Sequence, residues 1–288
     1  MRPTRVVFAG CGFLGEAAAV LLLRGGARVL GLTATPESAA RLRQIGLDAE
    51  AVDLSRPFGL PAEWTGADCL IHAASSRRGG PDAYRAVYRD GLRHALDAVR
   101  PERVIFTGST SVYGQCDGAW VIETSPTEPD RETGRILLEA EALALAEPRG
   151  FVARLAGLYG PGRSVLLQKV IEGTAVLEEG GHRWINQIHR DDAARALVHL
   201  ATADAEPGLY NVCDDTPATQ RMVYEWITSL LGRPMPPEGP ADRNRKRGWT
   251  SKRVSNAKLR VTGWAPDFPS YREAVPSLAA HWDATQRA

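Results

Sequence analysis

Residues 6–26, VVFAGCGFLGEAAAVLLLRGG, decide the fold class. A β-branched and aromatic run, Val6 to Phe8, leads into Gly10, and an alanine- and leucine-rich helical segment begins a few residues later. Gly10, Gly12 and Gly15 thus form G-x-G-x-x-G between a strand and a helix, which is the context that gives this motif meaning. Gly10 permits the tight turn, Gly12 lets the backbone approach a pyrophosphate, and Gly15 lets helix pack on strand, while the helix N-terminal amides face the anion. Cys11, Phe13 and Leu14 complete the loop as candidate cofactor-lining residues. A purely structural glycine turn is the alternative. Helix N-terminal amides can also activate a thiol, but Cys11 has no resolving cysteine near it in sequence.

Working outward, RVVFAG, ARVLGL, DAEAVDL, ADCLIHAA, ERVIFTG and FVARLAG read as strands. Helical periodicity falls near 12–25, 36–45, 81–100 and 131–147. Near-continuous apolar strands alternating with helices predict an α/β protein with a Rossmann-type doubly wound parallel sheet. After residue 157 a Gly/Pro cluster, further helices near 164–172 and 191–203, and the Pro-rich GRPMPPEGP predict a smaller C-terminal substrate lobe. The expected division is 1–160 as the dinucleotide-binding domain with 186–212 returning to it, and 161–185 and 213–288 as the lobe.

Composition narrows the function classes. Lys and Arg number 35 against 34 Asp and Glu, so no global field draws the chain to nucleic acid or an anionic membrane. Cys11, Cys69, Cys116 and Cys213 lie far apart without C-x-x-C spacing, which argues against a zinc knuckle or a disulfide scaffold and predicts no metal site. A reducing cytoplasm fits this usage. The N-terminus is too short for a signal peptide or membrane span, and no other stretch approaches a spanning length.

The second strand ends at Thr33 where NAD-binding sheets usually carry an acidic residue for the ribose 2′-hydroxyl. A 2′-phosphate would not be repelled there, which favours NADP over NAD. Asp53, after the third strand, is either an adenine contact or a turn residue.

The glycine loop is followed in order by HAAS (72–75), TGSTSVYG (107–114), RLAGLYGPGR (154–163), NQIHRDDAARALVHL (186–200) and YNVCDD (210–215). With this ordered set the chain resembles the extended short-chain dehydrogenase/reductases, the NAD(P)-dependent epimerase/dehydratase family, over nearly its whole length to SKRVSNAKLRVTGWAP (251–266). The resemblance implies cofactor contacts at Ala73 and Ala74, a catalytic hydroxyl at Ser109, substrate contacts at Ser111 and Tyr113, and a helix-mediated homodimer. It also implies Tyr-x-x-x-Lys on the helix near 131–147, followed by an acidic residue. Counting back from Glu141 puts Thr133 at the tyrosine position and Leu137 at the lysine position. Neither can take part in proton transfer near neutrality.

Substitutes are few. Tyr84 and Tyr88 read better as packing residues, His72 as a residue beside the cofactor backbone, and His189 with Asp192 as a structural pair at a helix start. The basic run Arg243, Arg245, Lys246, Arg247, Lys252 and Arg253 reads either as an anionic-substrate clamp, through Arg247 and Arg253, or as a solvated loop. Two functions remain: an oxidoreductase or epimerase acting on a nucleotide-sugar-like or other small carbonyl or alcohol substrate by a non-standard proton route, or a catalytically silent NAD(P)-binding sensor or scaffold.

Overall fold

The first strand, β1 (Arg5–Ala9), alternates its side chains between two cores: Val6 and Phe8 enter the larger one, Val7 and Ala9 the smaller one on the opposite face. Both faces are covered, which is why the strand reads as an uninterrupted apolar run. In the computed structural model, which describes residues 3–76, 79–244 and 248–286, six further strands join it. They are β2 (Arg28–Thr33), β3 (Asp48–Ala51), β4 (Cys69–His72), β5 (Arg103–Ser109), β6 (Gly150–Leu155) and β7 (Gly208–Val212). The sheet is parallel throughout in the order β7-β6-β5-β4-β1-β2-β3. Strand order reverses between β1 and β4, so the crevice at their carboxyl ends is where such sheets bind ligands.

The helices that matter for the site are α1 (Phe13–Arg24), α2 (Pro36–Gln44), α3 (Gly91–Val99), α4 (Glu132–Leu145) and α5 (Arg190–Thr202). The helix expected over 81–100 is interrupted: an α turn at Pro81–Tyr84 passes through a π-helical stretch, Arg85–Asp90, into α3. The Val87 carbonyl inside that stretch meets His72 Nε2 at 3.0 Å, and the widened turn frees this carbonyl to leave the helical ladder. A separate apolar cluster, including Tyr159, Leu167, Leu177, Tyr224, Ile227 and Tyr271, forms the core beneath the C-terminal helices. Among the described residues no helix is long and apolar enough to cross a membrane.

One buried ionic network ties sheet, helix and site together. Arg154 on β6 donates through Nε and Nη2 to the Glu141 carboxylate of α4, the shortest bond being 2.7 Å, and both side chains are almost wholly buried. Its Nη1 donates to the Tyr113 hydroxyl at 2.9 Å, and that hydroxyl donates to Asn211 Oδ1 of β7. A Cβ at Gly108 would lie 2.9 Å from Glu141 Oε1, so the glycine is what lets the carboxylate cross the end of β5. Burial lifts the Glu141 carboxyl, and the Arg154 guanidinium opposes that rise. Glu141→Gln should cost about 3–5 kcal/mol because it strands a buried guanidinium. Paired replacement, Glu141→Leu with Arg154→Met, should recover most of that loss in urea unfolding.

Candidate functional site

β1 delivers Gly10 at φ +94° into the crevice, where a Cβ would lie 2.3 Å from the Ala74 backbone. The loops after β1 and β4 therefore touch, and Ala73 donates its N–H to the Ala9 carbonyl at 2.8 Å. At Gly15 a Cβ would meet the Gly10 carbonyl oxygen at 2.4 Å, so α1 presses directly on the loop. Gly12 is different: its φ of −106° lies outside the left-handed region, and nothing lies within 4 Å of a Cβ built there. That open space faces the start of α1, which no side chain caps. An uncapped helix start beside bare backbone is suited to a phosphate group.

Several loop positions are less available than their spacing suggests. The Cys11 thiol is buried against β2 near Gly31, and its amide donates to the Leu32 carbonyl at 2.8 Å. Neither its thiol nor its amide is free to donate to a ligand in the loop. Burial first, and Glu16 second, push the thiol pKa up to about 12, so activation is excluded too. Leu14 is buried in the main core, whereas Phe13 is half-buried at the loop mouth. The guanidinium carbons of Arg163 and Arg190 each lie 5.4 Å from the Phe13 ring centre. These arginines sit in motifs already noted, but sequence spacing gave no sign that they converge on Phe13.

At the far end of the crevice Thr33 closes β2, and Thr35 caps α2 by accepting the Ser38 N–H. Nearby Arg41 is engaged by the Glu16 carboxylate. Asp53 makes a turn: Oδ1 accepts from the Ser55 N–H and hydroxyl, and these bonds hold its carboxyl below the usual range, while the side chain stays exposed.

Ser109 ends β5, and its Oγ accepts the Ser111 N–H at 3.2 Å, starting a 3₁₀ turn at Thr110–Val112. Ser109 is buried and Ser111 half-buried. The expected substrate contact through the Tyr113 side chain is corrected: its phenol is fully buried and spent on Arg154 and Asn211. On α4, Thr133 and Leu137 both turn inward, at 5% and 2% exposure, and Leu137 belongs to the main core. Tyr84 and Tyr88 pack with ring centres 4.8 Å apart, and Tyr88 meets Phe106 edge-on. Burial pulls His72 down to about 4, so the imidazole is neutral near pH 7.

His189 and Asp192 hold structure. His189 Nδ1 accepts the Asp191 N–H at the start of α5, and Asp192 accepts the Asp267 and Phe268 amides. Of the basic run, Arg243 pairs with Glu179, while Arg245, Lys246 and Arg247 lie outside the described residues. The Arg253 guanidinium stacks between Trp120 and Trp184, and its Nε donates to the Gly118 carbonyl. Lys252, beside it, departs from both readings of the run: it is a buried side chain beneath the serine turn. Among the described residues no group of His, Cys, Asp and Glu is arranged to hold a metal ion.

Residues 6–213 match the model of the NAD dependent epimerase/dehydratase family. Protein YeeZ of Escherichia coli strain K12 is 31% identical over 236 residues, which cover 79% of this chain and 84% of that protein. A conserved protein of unknown function from Silicibacter pomeroyi shares the fold at a TM-score of 0.75 and 28% identity, over 98% of this chain and 99% of that one. DesIV, a dTDP-glucose 4,6-dehydratase from Streptomyces venezuelae solved with NAD bound, gives a TM-score of 0.80 at 21% identity over 97% of each chain, a likeness of fold alone. The glycine loop in the β1–β4 crevice, the sheet order and these matches agree: the chain belongs to the NAD-dependent epimerase/dehydratase family.

Proposed function

We propose that the chain binds NAD(P), with NADP preferred, and acts as an oxidoreductase or epimerase on a nucleotide-sugar-like or other small carbonyl or alcohol substrate. The observation that carries this reading is the glycine cradle. Gly10 and Gly15 are forced by close backbone approaches, whereas Gly12 faces space that its own fold does not use. A pyrophosphate would sit against Gly12 and the first amides of α1, with Phe13 at the mouth, and Ala73 and Ala74 would line the opposite wall. Thr33 and the hydroxyl-rich start of α2 support NADP, since no carboxylate ends β2. When bound, a nicotinamide supplies hydride exchange.

The chain's own part is to orient the substrate. Ser109 is the group for hydrogen bonding the reacting oxygen, with Ser111 beside it, and Arg253 and Arg247 remain candidates for anionic substrate groups. Thr133 and Leu137 carry no proton chemistry, so the proton moves through water or a group outside α4. Those two residues also support the second reading, a silent dinucleotide sensor.

Three experiments test these readings. Gly12→Ala should leave stability within about 0.5 kcal/mol, as for a substitution that meets no neighbour. It should weaken NADPH binding at least about tenfold, roughly 1.4 kcal/mol, and unchanged affinity would remove the cradle from the cofactor site. In thermal shift, NADPH should raise the melting temperature more than NADH at equal concentration, because a ligand bound only to the folded state stabilises it by mass action. Absorbance at the reduced-nicotinamide band over nucleotide sugars, ketones and aldehydes then separates the readings: turnover supports the enzyme, and tight binding with none supports the sensor.

A further inference from the structure

α4 brings no cation to the serine turn, but the C-terminal lobe does. Lys252 is 4% exposed, and its Nζ donates to the Tyr113 carbonyl at 2.9 Å and to Thr250 Oγ1 at 2.8 Å. Both acceptors are neutral. Among the described residues no carboxylate forms an ion pair with this ammonium. Lys169, Lys246, Lys252 and Lys258 are the only lysines among 35 basic residues, and the buried Arg side chains among the described residues are Arg103 and Arg154. A lysine at a buried position differs chemically from those arginines, because it alone can release its proton.

The backbone around Lys252 is fixed on two sides. Asn186 Nδ2 donates to the Lys252 carbonyl, and Asn186 Oδ1 accepts the Val254 N–H. Ser251 donates its N–H to the Gln115 carbonyl, and its own carbonyl accepts the Gly118 N–H. The ammonium therefore arrives pre-positioned under the turn that begins at Ser109. Within that turn Ser111 donates to Ser109 Oγ, Tyr113 N–H donates to the Thr110 carbonyl, and the Tyr113 carbonyl is the end that Lys252 grips.

We propose that Lys252 is the positioning residue of this site: reaching in from the lobe, its ammonium holds the Tyr113 carbonyl and so fixes the turn that presents Ser109 and Ser111. The inference rests on the reading of that turn as the reacting end of the site. It makes docking of the lobe a condition for an ordered serine pair.

Among the described residues, the charged and titratable groups that act on Lys252 are Cys116 and Arg183. Burial pulls the ammonium down to about 8, Arg183 adds to the fall, and Cys116 opposes it. Protonated, Lys252 gives the carbonyl a charge-assisted bond, about twice as strong as a neutral one. The turn is therefore tightest below that midpoint and loosens as pH rises through it.

The test follows the ¹H–¹⁵N signals of Ser111, Tyr113 and Gly114 from pH 6 to 10, in a Cys116→Ser background that removes the neighbouring thiol. The three signals should move together in one step whose midpoint lies below that of the unsubstituted protein, since the thiol that raised it is gone, and the step should vanish in Lys252→Arg, which stays charged throughout. No common step in the parent, or the same step persisting in Lys252→Arg, overturns the proposal. If the protein turns over, Lys252→Met should lower kcat at least about tenfold with NADPH affinity within about twofold of the parent. Lys252→Arg should restore kcat and remove the alkaline decline, and an unchanged kcat in Lys252→Met would also overturn the proposal. Amide steps in a protein without turnover would sink the enzyme reading and leave the role of Lys252 standing. Turnover without the steps would do the reverse.

Discussion

The Arg154–Glu141 pair is the constraint on which the site depends. A guanidinium and a carboxylate taken out of water are costly unless their hydrogen-bonding capacity is filled, and here it is filled by parts of the molecule that must stay in register. Glu141 fixes the rotation of α4 against β5 and β6, because its carboxylate must cross Gly108 to reach Arg154. Arg154 then holds the Tyr113 phenol, and Asn211 brings in β7. Tyr113 therefore cannot be both a substrate contact through its phenol and the keystone of this network. Its side chain belongs to the fold, and its backbone carbonyl is the part turned towards the lobe lysine.

The sequence made the sheet legible because doubly covered parallel strands must be continuously apolar, and the glycine spacing identified which strand comes first in the crevice. The π-helical stretch was not legible, since the Val87 carbonyl inside it meets His72 across elements, and helical periodicity does not record such a contact. The same limit applied at the site. Spacing picked out Gly10, Gly12 and Gly15 at the end of the first strand, and the family resemblance picked out Ser109 at the end of β5. Spacing could not locate the partners of Tyr113 or Lys252, because both side chains are committed to residues roughly a hundred positions away. A basic run in a Gly- and Asn-containing loop looks solvated; only the third dimension shows one of its members under the serine turn.

Thr133 and Leu137, at the positions where the family resemblance implies a tyrosine and a lysine, are both buried, and that has a physical consequence. Leu137 joins the core, and fully burying a leucine contributes roughly 1.5–3 kcal/mol, whereas a lysine there would need a counter-charge or would shed its proton. The helix thereby gains packing and brings no cation at that position. Lys252 instead reaches the Tyr113 carbonyl from the 250–254 segment, which Asn186 and the 115–118 loop anchor. A cation supplied by α4 would be as rigid as the sheet, since α4 is pinned by Glu141. On the proposed role of Lys252, the serine turn is only as well placed as the contacts that seat residues 250–254 against it, while the glycine cradle, built within β1, β4 and α1, is independent of them.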